Sequence, residues 1–315
     1  KLRNSHYQGK IMFINDICEK LSFSVVGDNN PNVWGIRYAA QAGERDIAIV
    51  KKRKEAEITA ARVILTNKII LGLDKTMLIG HGRLLENARN IAKLLALHGD
   101  CQDYSLEENL NLLPAGYMLG NNVTMGANIR IGALSIIKSN SHIGNGCIIG
   151  EQCYIGAGTI IGNNVIIKPG TRIASPAFFR YTDSPVNDFV GFGKVIIGDN
   201  VTIGTNTVIQ RGTFGDTVIG SNTGIGDSVV IGHDVQIGSA CTIVSQSGIA
   251  GGARIEDSVE ILGQAGIADN VVVGEGAVVK AKSSITKNVA AYEVVSGLYG
   301  RRHIDELRLR ARLTR

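Results

Sequence analysis

Aromatic side chains are scarce in this chain. They make up 5% of its 315 residues, whereas Gly alone accounts for 39. A core with so few rings has to be filled by aliphatic residues, and the 44% hydrophobic content is ample for that. Cysteine is also sparse, with five residues and no CxxC spacing, which argues against a disulfide framework and against a metal or redox motif. No apolar run approaches the length of a bilayer span and the N-terminal stretch lacks a signal-peptide pattern, so no integral membrane segment is expected and the expected location is cytoplasmic. The formal net charge of +5 is too mild to point to a nucleic-acid partner, yet it leaves room for an acidic one. Histidine numbers only six. Of these, His142 and His233 lie in the repetitive part, several coils apart, so one chain cannot assemble the multi-His zinc centre of a γ-type carbonic anhydrase. No metal and no bound cofactor are expected.

What the chain has in abundance is a period. From Leu119 an aliphatic residue returns every sixth position through Met125, Ile131 and Ile137 to Ile173. The beat pauses, resumes at Ile197, Ile203 and Ile209, slips by four residues, and then runs unbroken from Ile219 to Ile285. A strict six-residue beat fits neither the 3.6 of a helix nor the turn-broken alternation of a two-layer sheet. It fits a parallel β-helix in which each short strand points one aliphatic residue at a common axis, with Gly where the backbone turns. Three hexads make one triangular coil, so residues 18 apart stack. Cys147, Cys153 and Cys241 each stand two residues before a core Ile, where a small buried side chain is wanted, and read as structural thiols.

The fold class is therefore mainly β, with three regions: a small α/β domain over residues 1–112, which the resemblance given below makes nucleotide-binding-like, the β-helix over 113–288, and a C-terminal Arg-rich helix over 289–315. In the first region Ile11–Leu21 and Leu84–His98 have helical spacing, while SFSVVGD, DIAIV, ARVILTN and MLIGHG read as strands. The pause in the beat, Ser175–Lys194, carries Phe178, Phe179, Tyr181, Phe189 and Phe192. It is either a loop folded over apolar surface or a flap beside a ligand groove. The tail from Arg301 holds six Arg against Asp305 and Glu306, suited to an acidic partner or to simple packing of Leu307, Leu309 and Leu313.

Four stretches together resemble the UDP-3-O-acylglucosamine N-acyltransferases of lipid A biosynthesis: ICEKLSFSVVGD with GIRYAAQAGERDIAIV, VIQRGTFGDTVIG, VIGHDVQIG with SQSGIAGGARI, and YEVVSGLYGRRHIDELR. The resemblance implies a left-handed β-helix, a homotrimer with active sites between neighbouring solenoids, and transfer of an acyl group, a 3-hydroxyacyl group in this reading, to the 2-amino group of a UDP-linked glucosamine. The donor it implies is the acyl-phosphopantetheine of acyl carrier protein, which would be a partner alongside the UDP-amino sugar. Gln210 replaces a usual Asp, and Gly226-Asp227 stands where the family commonly has Asp-Asn. Asp269 and Asn270 occupy a usual Gly-His, and KRKE puts Glu55 at the place of a uracil-stacking Tyr. Weak or altered uridine recognition is the expectation from the last departure. Acyl- or acetyl-CoA-dependent transfer to another nucleotide amino sugar, and a non-catalytic β-helix that binds a sugar nucleotide, remain as alternatives.

Within that reading His233, outward on the wall just past a turn, is the candidate general base, since a neutral imidazole suits removal of a proton from an attacking amine. A lone surface His is otherwise usually inert. Asp234 is not expected to orient it, because neighbouring side chains in a strand diverge; Asp216 or Asp227 are the candidates. Gly251, 18 residues on, is the candidate oxyanion donor through its backbone N–H, or else a glycine that the turn alone requires. Candidate substrate-binding residues are Asp227, Gln246, Gly263, Gly266 and Asn270. Small outward residues, Gly263, Ala265 and Gly266, are expected to leave a furrow for an acyl or pantetheine chain.

Overall fold

The computed structural model describes residues 12–27, 30–33, 35–80, 83–98, 110–177 and 191–297. Phe178, Phe179, Tyr181 and Phe189 of the first excursion and the Arg-rich tail lie outside the described residues.

The N-terminal region is an α/β domain around a five-stranded sheet. Its spatial order is Ser24–Val26, Thr76–Ile79, Val63–Thr66, Asp46–Ile49 and Gly35–Tyr38, with the first pair antiparallel and the rest parallel. The run Val63–Thr66 is buried throughout, as an interior parallel strand covered on both faces must be. On one face Ile36, Ile47 and Leu65 pack with Ile14 and Ile17 of α1 (Ile14–Leu21) and Ile91 and Leu95 of α3 (Leu84–His98). On the other, Ala48, Ile64 and Met77 pack with Ala56 of α2 (Arg53–Ile58). This short helix covers the KRKE stretch, and Glu55 closes it by accepting the Lys51 N–H at 2.6 Å. Glu55 therefore serves as a helix cap at the place where an aromatic residue was wanted.

From Met118 the chain winds into a left-handed parallel β-helix with three faces. Face 1 holds ten strands, face 2 eight and face 3 nine. Each coil sets residue i beside i + 18, as in Ile131 against Ile149 and Ile149 against Ile167. Across the first excursion the register becomes Ile167 against Ile203, and across the slip Ile197 against Ile219, so pairing resumes beyond each insertion, with one register shift between Ile173 and Ser175 where both begin. The beat residues line the axis: Ile143, Ile203, Ile231 and Ile261 have no exposure. Cys147, Cys153 and Cys241 also point inward, each Sγ against a carbonyl of the next coil, and burial raises each thiol pKa. Many corners take a left-handed residue, among them Asn122, Asn164, Asn200 and Asn222, the type that tolerates this conformation best after Gly. The Gly that follows a core Ile is a matter of space. A Cβ on Gly226 would lie 2.5 Å from the Ser245 nitrogen of the coil above.

The winding continues past Ile285. Val289 bridges to Val273, and Val294–Val295 pairs with Val278–Val279, so solenoid pairing extends beyond residue 288.

If the six-residue beat is the core, replacing Ile203, fully buried, should cost about 2–5 kcal/mol as Ile203→Ala. Its outward neighbour Thr202 should tolerate Ala with little loss. Thermal or urea unfolding of the two variants checks this; equal losses would contradict it.

Candidate active site

The four-residue slip emerges where face 1 turns into face 2, one coil below His233. Local geometry there is set by a buried carboxylate. Asp234 accepts the N–H of Thr213 at 2.8 Å and of Gly215 at 2.9 Å through Oδ1, and the Thr213 hydroxyl at 2.6 Å through Oδ2. Its own N–H donates to Thr217 Oγ1 at 3.0 Å. The bulge is thus folded around Asp234, whose side chain is only 7% exposed.

The same Oδ2 lies 2.8 Å from Nδ1 of His233, and Thr213 Oγ1 lies 2.9 Å from that nitrogen. An imidazole nitrogen facing a carboxylate carries the hydrogen, so the neutral ring has its lone pair on Nε2. The expectation that Asp234 need not orient its neighbour, with Asp216 or Asp227 doing so instead, is therefore corrected. Strand alternation does not reach Asp234, because it is a corner residue in the left-handed region (φ 58°), where two successive side chains can converge. Neither proposed substitute does this work. Asp216 pairs with Arg37 at 3.1 Å, and Asp227 accepts the Thr205 N–H at 2.7 Å as part of a turn ladder.

Nε2 faces Gly251, one coil on. A Cβ there would lie 2.6 Å from Nε2, so only glycine leaves the ring in place. At many corners the N–H after the turn glycine donates to a side chain of the next coil, as Asn145 does to Asn163 and Ser239 to Asp257. Among the described residues the Gly251 N–H has no such acceptor. The site therefore offers a base nitrogen and an N–H donor on adjacent coils.

The N-terminal domain abuts this corner. The Tyr38 N–H donates to the Phe214 carbonyl at 3.1 Å, and Gln41 Oε1 accepts the Asp216 N–H at 2.9 Å. Burial, and secondly the negative charge of Asp234, push the Tyr38 phenol up to about 12. Burial also lowers Lys194, further depressed by Arg37 and Arg211 and opposed by Asp216.

The other candidates divide between two edges of face 1. Asn270 shares the His233 edge, two coils on, in a left-handed corner. Asp227, Gln246 and Gly263 occupy the opposite edge, where Gln264 donates to Gln246 at 2.6 Å. Gly266 lies on the face between, above Gly248, and a Cβ on either would meet open space. Ala265 is corrected: it points into the core at 2% exposure, because the position two before each core Ile is inward. Thr213 and Tyr38 were not anticipated; the break in the beat was the only mark of the former. Among the described residues no three His, Cys, Asp or Glu side chains group as a metal site needs.

Gly251→Ala should displace the His233 ring without unfolding the chain, since Gly251 has no left-handed φ to lose. Gly263→Ala, which meets only ordinary contacts at 3.5 and 3.6 Å, should leave the ring alone. The His233 Cε1–H resonance distinguishes them, and an unmoved signal in Gly251→Ala would contradict this packing.

The bacterial transferase hexapeptide (six repeats) family model matches residues 140–175 and 216–251. A UDP-3-O-acylglucosamine N-acyltransferase of Rhizobium meliloti (strain 1021) is 43% identical over 143 residues, covering 44% of this chain and 40% of the relative. One from Campylobacter curvus (strain 525.92) is 34% identical over 124 residues, 39% of each. The chain thus spans well under half the length of these curated relatives. Among solved structures, the Francisella novicida UDP-N-acetylglucosamine acyltransferase superposes with TM-score 0.54 at 26% identity, covering 62% of this chain and 71% of that one. The Moraxella catarrhalis RH4 UDP-N-acetylglucosamine O-acyltransferase gives 0.53 at 26%, covering 62% and 77%. Among the described residues no helix is long and apolar enough to cross a membrane. The resemblance read from the sequence stands: this chain is similar to the UDP-3-O-acylglucosamine N-acyltransferases in sequence and to the UDP-N-acetylglucosamine acyltransferases in fold.

Proposed function

We propose that the chain is an N-acyltransferase that moves an acyl group from the phosphopantetheine thioester of acyl carrier protein to the amine of a UDP-linked glucosamine. The observation that carries the reading is the orientation of His233: Nδ1 is tied to Asp234 at 2.8 Å, and Nε2 is presented over Gly251. The acceptor nitrogen attacks the thioester carbonyl, forming the C–N bond, as Nε2 removes its proton. The Gly251 N–H donates to the oxyanion of the tetrahedral intermediate. Collapse breaks the C–S bond, and the imidazolium returns the proton to the departing sulfur. Asp234 stabilises the imidazolium while it lasts.

A homotrimer completes the site in this proposal. Along one chain His233, Gly251 and Asn270 follow one edge of face 1, and Asp227, Gln246 and Gly263 the other. Face 1 is a single outer wall, and one wall makes no cleft until a second copy stands against it. Cyclic symmetry then yields three equivalent clefts. Asn270 and the open stripe at Gly248 and Gly266 would line the path of the acyl or pantetheine chain. Light scattering should give three chains per particle at micromolar concentration; a monomer would contradict the shared cleft.

One observation favours a different acceptor base as a second reading. Glu55 is committed to capping α2, so this segment offers a carboxylate and no aromatic face. Another nucleotide amino sugar, with acyl carrier protein or coenzyme A as donor, is then the substrate pair to compare. Mass spectrometry of products from both donors with a panel of nucleotide amino sugars tests the choice. Whichever pair turns over, His233→Ala should lower kcat by about 10²–10⁴-fold, the usual worth of a positioned base, while the assembly and melting temperature hold. Turnover within a few-fold of the parent would remove His233 from the mechanism.

A further inference from the structure

The slip between Ile209 and Ile219 has two ends in different domains. Its Thr213 touches the His233 ring, and its Phe214 is 2% exposed inside the core of the N-terminal domain, packed with residues of that sheet and of α3. The Tyr38 ring meets Phe214 edge-on, centroids 5.8 Å apart at 80°. Gly215 fits between the two sides: a Cβ there would lie 2.6 Å from Gln41 Oε1 and 3.3 Å from Asp234 Oδ1. Asp216 ends the bulge, held by Arg37 at 3.1 Å and by the Gln41 side chain. The exit of the first excursion runs alongside, with the Phe192 N–H donating to the Thr213 carbonyl at 2.8 Å and Arg37 donating to the Phe192 carbonyl at 3.0 Å.

We infer that this bulge is a strut through which the N-terminal domain holds the base, with Phe214 as a positioning residue that fixes the His233 ring in its Nδ1–H tautomer. The physical reason lies in what holds Nδ1. Thr213 Oγ1 and Asp234 Oδ2 both contact it, and both belong to one small network. Thr213 and Gly215 also supply the N–H groups that fix the Asp234 carboxylate. These two residues flank Phe214. Backbone bonds to the exit of the first excursion tie the base of the bulge at Gly212 and Thr213, while its tip at Phe214 is placed by burial in the N-terminal core and by the Tyr38 N–H on its carbonyl. Pulling Phe214 out of the N-terminal core would free Thr213 and Gly215 together, and Asp234 would lose three of its donors. The ring would then be free to exchange tautomers, and Nε2 would spend part of its time carrying the hydrogen. The N-terminal domain, whatever it binds, would thereby also determine whether the base is competent. This rests on His233 being the base, but the positioning claim can be read without any turnover.

The test is nitrogen-15 NMR of the imidazole in the full chain, with His233→Gln used to assign the signal. In the parent, the His233 signals should report one neutral tautomer, Nδ1–H. In Phe214→Ala they should report a mixture of tautomers with an altered titration curve, and Phe214→Leu, which refills the core, should restore the parent pattern. Arg37→Met keeps Phe214 but cuts the tie to Asp216, and should shift the signals in the same direction to a smaller extent. It also serves if Phe214→Ala does not fold. With an active substrate pair, kcat of Phe214→Ala should fall about 10- to 100-fold while the acceptor KM changes little, as for a misplaced catalytic group. Parent-like His233 signals in Phe214→Ala, or in Arg37→Met where that variant has to serve, would overturn the strut. A change in the signals without any acyl transfer by the parent would uphold the strut and refute the proposed reaction.

Discussion

Backbone hydrogen bonds between successive coils, such as Gly144 N–H to the Ile161 carbonyl and Gly226 N–H to the Ile243 carbonyl, impose the spacing on which the molecule depends. Once residue i must sit beside i + 18, each strand can be two residues long and each corner must turn within four. Every second inward position must be small enough for a narrow axis. The scarcity of aromatics, the many glycines, the inward cysteines and the left-handed asparagines all follow from that one constraint. Insertions are possible only if pairing resumes beyond them, and the described ends of both, at Phe192 and Asp216, meet Arg37 of the N-terminal domain.

The candidate site lies where the regular pattern yields. At some corners the N–H after the turn is taken up by a side chain of the next coil, as at Asn145 and Ser239, and at Gly251 it is not. At Asp234 the four-residue bulge brings a carboxylate, a hydroxyl and an imidazole into one network. The price of that break is a loop that leaves the regular ladder, tied at its base to the exit of the first excursion and at its tip to the N-terminal core through buried Phe214. Stability and function therefore meet in the same seven residues, Gln210–Asp216.

Much of this was legible in the sequence, because a period carries its own geometry. The beat located the strands of the solenoid, the stacking of His233 under Gly251 and the burial of Cys147, Cys153 and Cys241. The misreadings share a cause: a local rule carried past its range. Alternation was applied to Asp234, although it lies in a corner, and outwardness was assumed for Ala265, although a hexad has two inward positions. Helix α2 was missed because six residues with only Ala56 buried show no apolar face. Phe214 gave no local signal at all, since its partners Ile36, Ile47 and Ile91 are far away in the chain. Long-range burial of a loop residue leaves no period to read.

The central claim is that Nε2 of His233 and the N–H of Gly251 act on one reacting carbonyl. A crystal structure of the assembled protein with an amide product or a non-hydrolysable thioester analogue and a nucleotide amino sugar tests it most directly. The account predicts the acceptor nitrogen about 2.6–3.2 Å from Nε2, with the acyl oxygen directed at the Gly251 N–H. A ligand seated away from this corner, with His233 Nε2 facing only solvent, would contradict it.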